Sequence, residues 1–562
     1  MMKIQQRPYS TASFEALQAQ GLPDLLARLL AARTVSVDDW TMQDMPHLLK
    51  PQALTGCAEM ARLLADAIQE KKHILVIGDY DADGATATCV AMRGLAMMGA
   101  QVDFLVPNRF EYGYGLTPEI VALAARQQPD VILTVDNGIA SIDGVLAAKT
   151  LGLQVLITDH HLPAEQTPVA DCIVNPNQRG CDFPSKHLAG VGVMFYVLIG
   201  LRAELKQRGL LAEEAVHLGS LLDLVALGTV ADLVKLDANN RILVRQGLKR
   251  IRQGQACPGI LAILKLAGRN PEQVSAQDLG FYVGPRLNAA GRLDDMTIGI
   301  RCLLAATPQE AMLYAQQLHV LNAERKQIEA EMQWDAMADL MQDFQDSQYT
   351  ISVFQPDWHQ GVIGILASRI KERFHRPVIA FADAGDGLIK GSGRSIAGLH
   401  LRDALDLVTK LQPDLIIKFG GHAMAAGLSI RADDFPRFQQ VFEQVVQQLI
   451  TAEILQQVLE TDGALEIQEM TLQNAEILSQ QVWGQGFPPP LFYDDFEVVQ
   501  QRILGEKHLK LRLQKHGAQF EAIYFQQATL LPEKVTLAYA LQINEFNGSR
   551  NLQLQVIHAD SV

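Results

Sequence analysis

Three short uncharged runs in this chain each stop at a cluster of acid or imidazole. Ile74–Ile77 leads into Asp79-Tyr80-Asp81-Ala82-Asp83-Gly84, Val131–Val135 into Asp136-Asn137-Gly138, and Val155–Thr158 into Asp159-His160-His161. Runs this short, set between helix-like segments, read as buried strands of a parallel sheet, and in such a sheet ligands bind beyond the carboxyl ends of the strands. A fourth island, Ala231-Asp232, ends a helix-like stretch. Hard oxygen donors and imidazoles converging at one sheet edge suit two divalent cations, and paired cations suit phosphoryl chemistry.

The same rhythm organises the amino half. Helices over 58–70, 85–98, 117–126 and 141–151 alternate with strands over 74–77, 102–106, 131–135 and 155–158, which predicts βαβ units. Helices over 189–206 and 214–229 follow, the second delivering Asp232. Residues 1–50 read as an N-terminal extension with a helix over Phe14–Arg33, and 51–305 as the α/β catalytic domain. From Pro308 to 345 the chain has no further Gly or Pro and is rich in Ala, Gln, Glu, Met and Leu. That composition predicts a connecting helix within 306–346, about 55 Å long at a rise of about 1.5 Å per residue. A second α/β domain is expected over 347–450, with strands at 349–354, 378–381 and 415–418. Short alternating strands over 455–562, such as His508–Leu513 and Leu552–Val556, predict a small, OB-like C-terminal β-barrel.

Composition excludes little but is informative about setting. At 562 residues the chain has room for three or four domains. It contains no apolar run of about 18 residues, so no membrane span is expected. The N-terminus lacks a secretory apolar segment, and the six cysteines show no CxxC spacing, which points to a reducing cytoplasm and away from zinc or disulfides. The formal charge of −15 weighs against a nucleic-acid partner only if the charge is evenly spread. It is not: residues 355–431 hold ten Lys/Arg against seven Asp/Glu, and 502–515 hold five against one.

Asp79, Asp81 and Asp83 would project to one side if their segment were extended. The alternatives are a solvated turn or half of a calcium loop. An EF-hand loop would need ligands where Ala85, Ala87 and Val90 stand. Asp136 alone could be a helix cap, and one histidine of a His-His pair commonly faces solvent. Their joint position after consecutive strands favours a metal centre, with Asp136 able to bridge two ions. Mixed oxygen and imidazole ligands favour Mn²⁺, with Mg²⁺ as the abundant competitor.

Taken in order, DYDADG, DNG, DHH and ALGTVAD resemble the motifs of the DHH phosphoesterase superfamily. Gly284-Pro-Arg-Leu-Asn-Ala-Ala-Gly-Arg292, Gly391-Ser-Gly-Arg-Ser395 and Gly420-Gly-His-Ala-Met-Ala-Ala-Gly427 narrow the resemblance to its RecJ family, over nearly the whole chain. The resemblance implies a parallel-sheet DHH catalytic domain, a DHHA1-type second domain and an OB-like third. It implies 5′-to-3′ exonuclease activity on single-stranded DNA, releasing mononucleotides, with two Mn²⁺ or Mg²⁺ ions, in recombination and repair. Matched by motif, Asp81, Asp83, Asp136, His160 and Asp232 are metal ligands. Asp79 and His161 are a further ligand or a phosphate contact, and Asp159 orients an imidazole from behind. The expected partners are single-stranded DNA, a single-strand-binding protein and a helicase supplying unwound ends. A chain of several domains could work alone.

Substrate contacts are expected at several motifs. Arg109 can fork onto a phosphate, and Tyr114 can stack or hydrogen-bond; the plain alternative is a surface arginine and a core tyrosine. Arg286, Asn288 and Arg292 sit among small residues that permit close approach. The glycines around Ser392 and Arg394 suggest a backbone anion nest for the terminal 5′ phosphate. Gly420, Gly421 and His422 suggest another phosphate-approaching loop, to which Trp358 and His359 could add, or else a plain Gly-rich turn. Lys507, Lys510, Arg512 and Lys515 suggest a cationic face on the barrel. A narrow cleft would exclude duplex, and removing residues after about 460 is expected to weaken DNA affinity but spare the metal chemistry. Two other readings compete. One is a phosphodiesterase for short oligonucleotides or cyclic dinucleotides, whose first motif usually reads His-x-Asn-Pro-Asp-x-Asp. The other is a non-catalytic scaffold, which would have lost metal ligands.

Overall fold

A computed structural model describes residues 2–561 except 109–111, 113, 114, 213–215 and 547. Arg109 and Tyr114 therefore lie outside the described residues. The chain forms two compact units. One comprises Gln6–His319 with Glu460–Val562, and the other Met1–Gln5 with Val320–Leu459.

The short strand β1 (Lys3–Gln6) opens the chain. The larger unit is built on five parallel strands: β2 (His73–Gly78), β3 (Gln101–Leu105), β4 (Val131–Val135), β5 (Gln154–Thr158) and β6 (Cys172–Val174). Their order is β3-β2-β4-β5-β6. β2 and β4 are buried almost throughout, as strands covered on both faces must be. Leu75, Ile77, Ile132, Val155 and Ile157 pack against the helices Pro118–Ala125 and Ile142–Thr150. Helices Cys57–Gln69, Ala82–Met97 and Gly190–Gln207 pack together against the strands as another layer. The register places Gly78 beside Val135 and Val135 beside Thr158, so the acid-bearing loops leave the sheet at one level.

The N-terminal extension departs from the single helix expected over Phe14–Arg33. Helices Thr11–Gln18 and Asp24–Ala31 are separated by a turn with Gly21 at φ +82° and Pro23 capping the second. Proline has no N–H to continue the first helix, so the break follows from the residues.

The smaller unit holds a five-stranded sheet of order β10-β11-β9-β8-β7. Its strands are β7 (Ile351–Phe354), β8 (Val378–Gly385), β9 (Leu388–Arg394), β10 (Lys418–Gly421) and β11 (Ala425–Arg431). The strand expected at 415–418 begins only at Lys418, because Leu415 and Ile416 turn into the core. The helix Pro308–Asp343 runs 36 residues without interruption and crosses the boundary between the units at 319/320. At 1.5 Å per residue it is about 54 Å long. Among the described residues no helix is long and apolar enough to cross a membrane.

After β12 (Val458–Thr461), which pairs with β1, five strands close a barrel. They are β13 (Phe492–Leu504), β14 (His508–Lys515), β15 (Ala518–Tyr524), β16 (Lys534–Phe546) and β17 (Ser549–Ser561). Leu509, Leu511, Leu513, Leu537, Tyr539 and Leu554 are buried in it. The barrel belongs to the same compact unit as the parallel sheet. Its cationic face is smaller than the sequence suggests. Lys515 is part-buried, bonded to Asp494 and the Leu465 carbonyl, while Lys510 and Arg512 share Glu521.

Candidate active site

The aspartates of DYDADG do not lie on one side of an extended segment. Asp79 follows β2, Asp81 is the N-cap of the helix Ala82–Met97, and Asp83 lies in its first turn. Each is held differently. Asp81 Oδ1 accepts the Gly84 amide at 2.9 Å, and Asp79 Oδ1 the Tyr80 amide at 2.8 Å. Both oxygens of Asp83 are gripped by the N-terminus of the helix Gly190–Gln207, through the amides of Gly190 (2.6 Å) and Val191 (2.9 Å). A helix N-terminus is a natural seat for a carboxylate, and here it fixes Asp83 rigidly.

Asp136 leaves β4 in the left-handed region, at φ +62°. An aspartate tolerates that strain better than most residues, and such outliers cluster where a side chain must be aimed. Asn137 donates to the carbonyls of Ile77 (3.1 Å) and Val135 (2.9 Å), tying the ends of two strands together. Asp159 faces inward. Its Oδ2 accepts the Ile139 amide at 2.9 Å, and its Oδ1 accepts the amides of His160 and His161 and lies 2.7 Å from His161 Nδ1. Asn177 and Asn175 donate to the carbonyls of His160 and His161 at 2.6 and 2.9 Å. The Asp159 carboxylate, the His161 ring and the backbone of the DHH turn are thereby fixed.

These supports converge on one centre. His160 Nε2 lies 3.1 Å from Asp136 Oδ1, 3.4 Å from Asp232 Oδ2 and 3.9 Å from Asp83 Oδ2. Three overlapping groups have ligand atoms within 4.8 Å of one another: Asp136 with His160 and His161, Asp83 with His160 and Asp232, and Asp79 with Asp81 and Asp136. Burial and the neighbouring Asp232 raise the Asp83 pKa, while burial and Asp83 raise that of Asp136. Burial and Asp81 raise that of Asp232. So many carboxylates cannot all ionise together without positive charge among them. Burial and the adjacent His161 lower the His160 pKa, which keeps its imidazole neutral and able to ligate.

Asp136 Oδ1 and His160 Nε2 test whether metal fits. Their 3.1 Å separation is that of an ion pair, yet neither atom has a hydrogen-bond partner, although both are buried. Buried polar atoms are almost always satisfied. Lone pairs of oxygen and nitrogen left facing one another, with the four further carboxylates of Asp79, Asp81, Asp83 and Asp232 around them, fit divalent cations.

The GPRLNAAGR segment is placed differently from expectation. Asn288 Oδ1 accepts the Ala82 amide at 2.8 Å, and a Cβ on Gly291 would stand 1.8 Å from the Tyr80 carbonyl. This helix buttresses the DYDADG loop. Arg286 is buried and donates to the Tyr282 carbonyl at 2.6 Å, with His319 Nδ1 beyond it at 3.3 Å. Arg292 is half-buried on the same helix.

In the smaller unit, Ser392 and Arg394 stand side by side on one face of β9, with Arg394 donating to Ser392 Oγ at 3.3 Å. No nest forms there. β9 is paired on both sides, by β8 and β11, so its backbone amides belong to the sheet. The glycines serve the opposite face, where a Cβ on Gly391 or Gly393 would meet Phe381 or Leu401. Gly420 pairs with Gly427, which in turn pairs with Ser392, so the Ser392 face continues as bare backbone. Gly421 turns the hairpin at φ +144°, and His422 donates its amide to Ala425. Trp358 is buried, and His359 Nδ1 accepts the Gly361 amide.

Sequence reasoning missed Gly190, Val191, Asn175 and Asn177. The two asparagines, one on each side of Pro176 just after a strand, were the available signal.

Known proteins match this architecture throughout. A profile for the DHH family, N-terminal domain, matches residues 73–229, one for the DHHA1 domain 346–448, and one for the RecJ OB domain 461–558. The chain is 50% identical over 549 residues to the single-stranded-DNA-specific exonuclease RecJ of Salmonella typhimurium, covering 95% of each chain. To the protein of the same name from Escherichia coli it is 49% identical, again covering 95% of each. The crystal structure of RecJ from Thermus thermophilus in complex with Mn²⁺ superposes with a TM-score of 0.83 at 30% identity, covering all of this chain and 79% of that one.

Proposed function

Because the chain belongs to the RecJ family of the DHH phosphoesterases, we propose that it is a metal-dependent exonuclease of single-stranded DNA, a phosphodiester hydrolase. We assign it 5′-to-3′ polarity and mononucleotide products. The observation that carries the reading is the unsatisfied, buried pair Asp136 Oδ1 and His160 Nε2 among convergent carboxylates. Activity confined to short oligonucleotides or cyclic dinucleotides is not favoured, since the chain carries DYDADG and a complete barrel domain. A scaffold would not keep every ligand.

Asp79, Asp81, Asp83, Asp136, His160 and Asp232 are the residues that would hold two Mn²⁺ or Mg²⁺ ions. When bound, such ions supply Lewis-acid charge at the phosphate and an activated water at neutral pH. The protein's own part is placement. Gly190 and Val191 hold Asp83, Asn288 holds the DYDADG loop, and the left-handed Asp136 aims its carboxylate inward. Asp159 Oδ1, 2.7 Å from His161 Nδ1, fixes that ring, and His161 is assigned either to a metal ion or to a phosphate oxygen. Arg292 in the larger unit and Ser392 and Arg394 in the smaller one are assigned to the DNA backbone, the latter pair to its 5′ phosphate. Gly420, Gly421 and His422 are assigned to its passage along the sheet. Arg286 and Asn288 act through the elements they brace.

A single-strand-binding protein and a helicase are the partners the family reading adds. A reducing cytoplasm suits six buried, unpaired cysteines. The test supplies Mn²⁺ with end-labelled single strands and duplexes. Mononucleotides released from the 5′ end of single strands only, and abolished by Asp136→Asn, are expected. Cleavage of dinucleotides alone would overturn the reading.

A further inference from the structure

The helix that buttresses the DYDADG loop begins with a defect. Residues Leu279–Val283 form a π-helical turn between the short helix Ala276–Asp278 and Gly284–Leu293. Pro285 accounts for it. In an α-helix its N–H would serve the Phe281 carbonyl, but proline has none and its ring clashes with that carbonyl. Widening the turn relieves the clash and pushes Phe281 and Tyr282 outward. Single π turns of this kind recur at functional sites.

Phe281 is 74% exposed, an unusual state for a phenylalanine on a well-formed helix. Tyr282 is 38% exposed and has the Arg269 guanidinium 4.8 Å from its ring centroid, so Phe281 is the more exposed of the two rings. The turn abuts the end of the helix that delivers Asp232. A Cβ on Gly280 would lie 3.3 Å from Val230, and one on Gly284 would lie 3.1 Å from Ala231. Leu233, directly after Asp232, is itself 68% exposed and held at φ +61°. Leu162, directly after His161, is 60% exposed. Large apolar side chains thus stand exposed beside a buried carboxylate centre. A substrate whose charged phosphate enters that centre while its flat apolar base remains outside would match both.

We propose that Phe281 is the platform on which a nucleobase beside the cleaved phosphodiester stacks, a specificity residue that rests on the exonuclease reading. Base–aromatic stacking tolerates any sequence, because every base has a π-face. It also favours purines over pyrimidines, through their larger area.

The experiment compares wild type, Phe281→Ala and Phe281→Trp on single strands carrying one abasic nucleotide at successive positions from the 5′ end. Wild type should lose about tenfold in kcat/KM at one position. Phe281→Ala should show that loss on intact strands and none further at the abasic position, whereas Phe281→Trp should restore wild-type behaviour. The Mn²⁺ concentration for half-maximal rate and the thermal midpoint should not change, since a merely structural role would move them. Equal abasic profiles in wild type and Phe281→Ala would overturn the proposal and leave the exonuclease reading standing. A wild type that cleaves no single strand would instead sink that reading.

Discussion

A Cβ on Gly190 would stand 2.5 Å from Oδ1 of Asp136. The same glycine donates its amide to Asp83, so one residue at a helix N-terminus sets the place of two candidate ligands. Gly190→Ala should fold, since alanine suits a helix better than glycine. It should nevertheless displace Asp136 and weaken Mn²⁺ binding about 10- to 100-fold, the range typical of residues that orient ligands. Calorimetric titration with Mn²⁺ checks this; wild-type affinity would show that Asp136 is not held by that contact.

Asp159 and His161 form the pair with the clearest pH signature. Burial alone would lower the His161 pKa, but the hydrogen bond and charge of Asp159 push it up to about 9. Burial opposes ionisation of Asp159 too, yet His161 holds its pKa below the usual carboxylate range. A raised histidine stabilises the fold fully below its unfolded value of about 6.5, and that stability is lost as pH rises through about 9. The Asp159 contribution is present above about 3.9 and lost as pH falls through its lowered folded value. In metal-free protein the ring resonances of His161 should therefore titrate near 9, and in Asp159→Asn well below that. A midpoint near the ordinary histidine value in the wild type would contradict the pairing.

Arg33 and Asp462 are nearly inaccessible, with side chains 1% and 2% exposed and a 2.9 Å contact. Arg33 also donates to the Pro488 and Leu29 carbonyls and stacks over Trp483, so it joins the N-terminal helices to the barrel's approach segment. Asp462→Ala leaves a buried cation without its partner and should cost about 3–5 kcal/mol in urea unfolding. Asp462 also holds Arg7 at 2.9 Å and accepts the Leu491 amide at 3.0 Å, so the apolar pair Arg33→Met with Asp462→Leu should recover only part of that loss. An unfolding free energy unchanged by Asp462→Ala would refute the role.

The segment that leads into the barrel is tied to the chain just beyond Asp232. The Gln485 carbonyl accepts the Leu236 amide at 2.8 Å, and Arg241 lies over Phe487 at 4.5 Å, a few residues beyond Asp232. Truncation after residue 459 should therefore destabilise the remaining catalytic sheet as well as weaken DNA binding. A truncated chain with the full-length thermal midpoint would restore the simpler view, in which the barrel only captures substrate.

How much of this was legible depends on how locally each feature is encoded. Asp136, Asp159 and His160 could be read because an uncharged run followed by acid or imidazole marks a strand end facing a ligand. Asp83 could not be placed, since its partners at 190 and 191 lie over a hundred residues away and contribute only backbone amides. The glycines around Ser392 suggested a nest because sequence cannot distinguish one from a central strand whose glycines make room for Phe381 and Leu401. Lys515 was grouped with Lys510 and Arg512 as one cationic face, although alternation puts it on the side of Leu509, Leu511 and Leu513, and its partner Asp494 arrives from another strand. Pro285 was visible, yet the π turn it causes depends on the helix continuing through it.

The most direct measurement is anomalous scattering at the manganese edge from crystals soaked in Mn²⁺. Two peaks about 3.5–4 Å apart, enclosed by Asp79, Asp81, Asp83, Asp136, His160 and Asp232, are predicted. No peak among these residues, with the Asp136 and His160 side chains turned apart, would contradict the account.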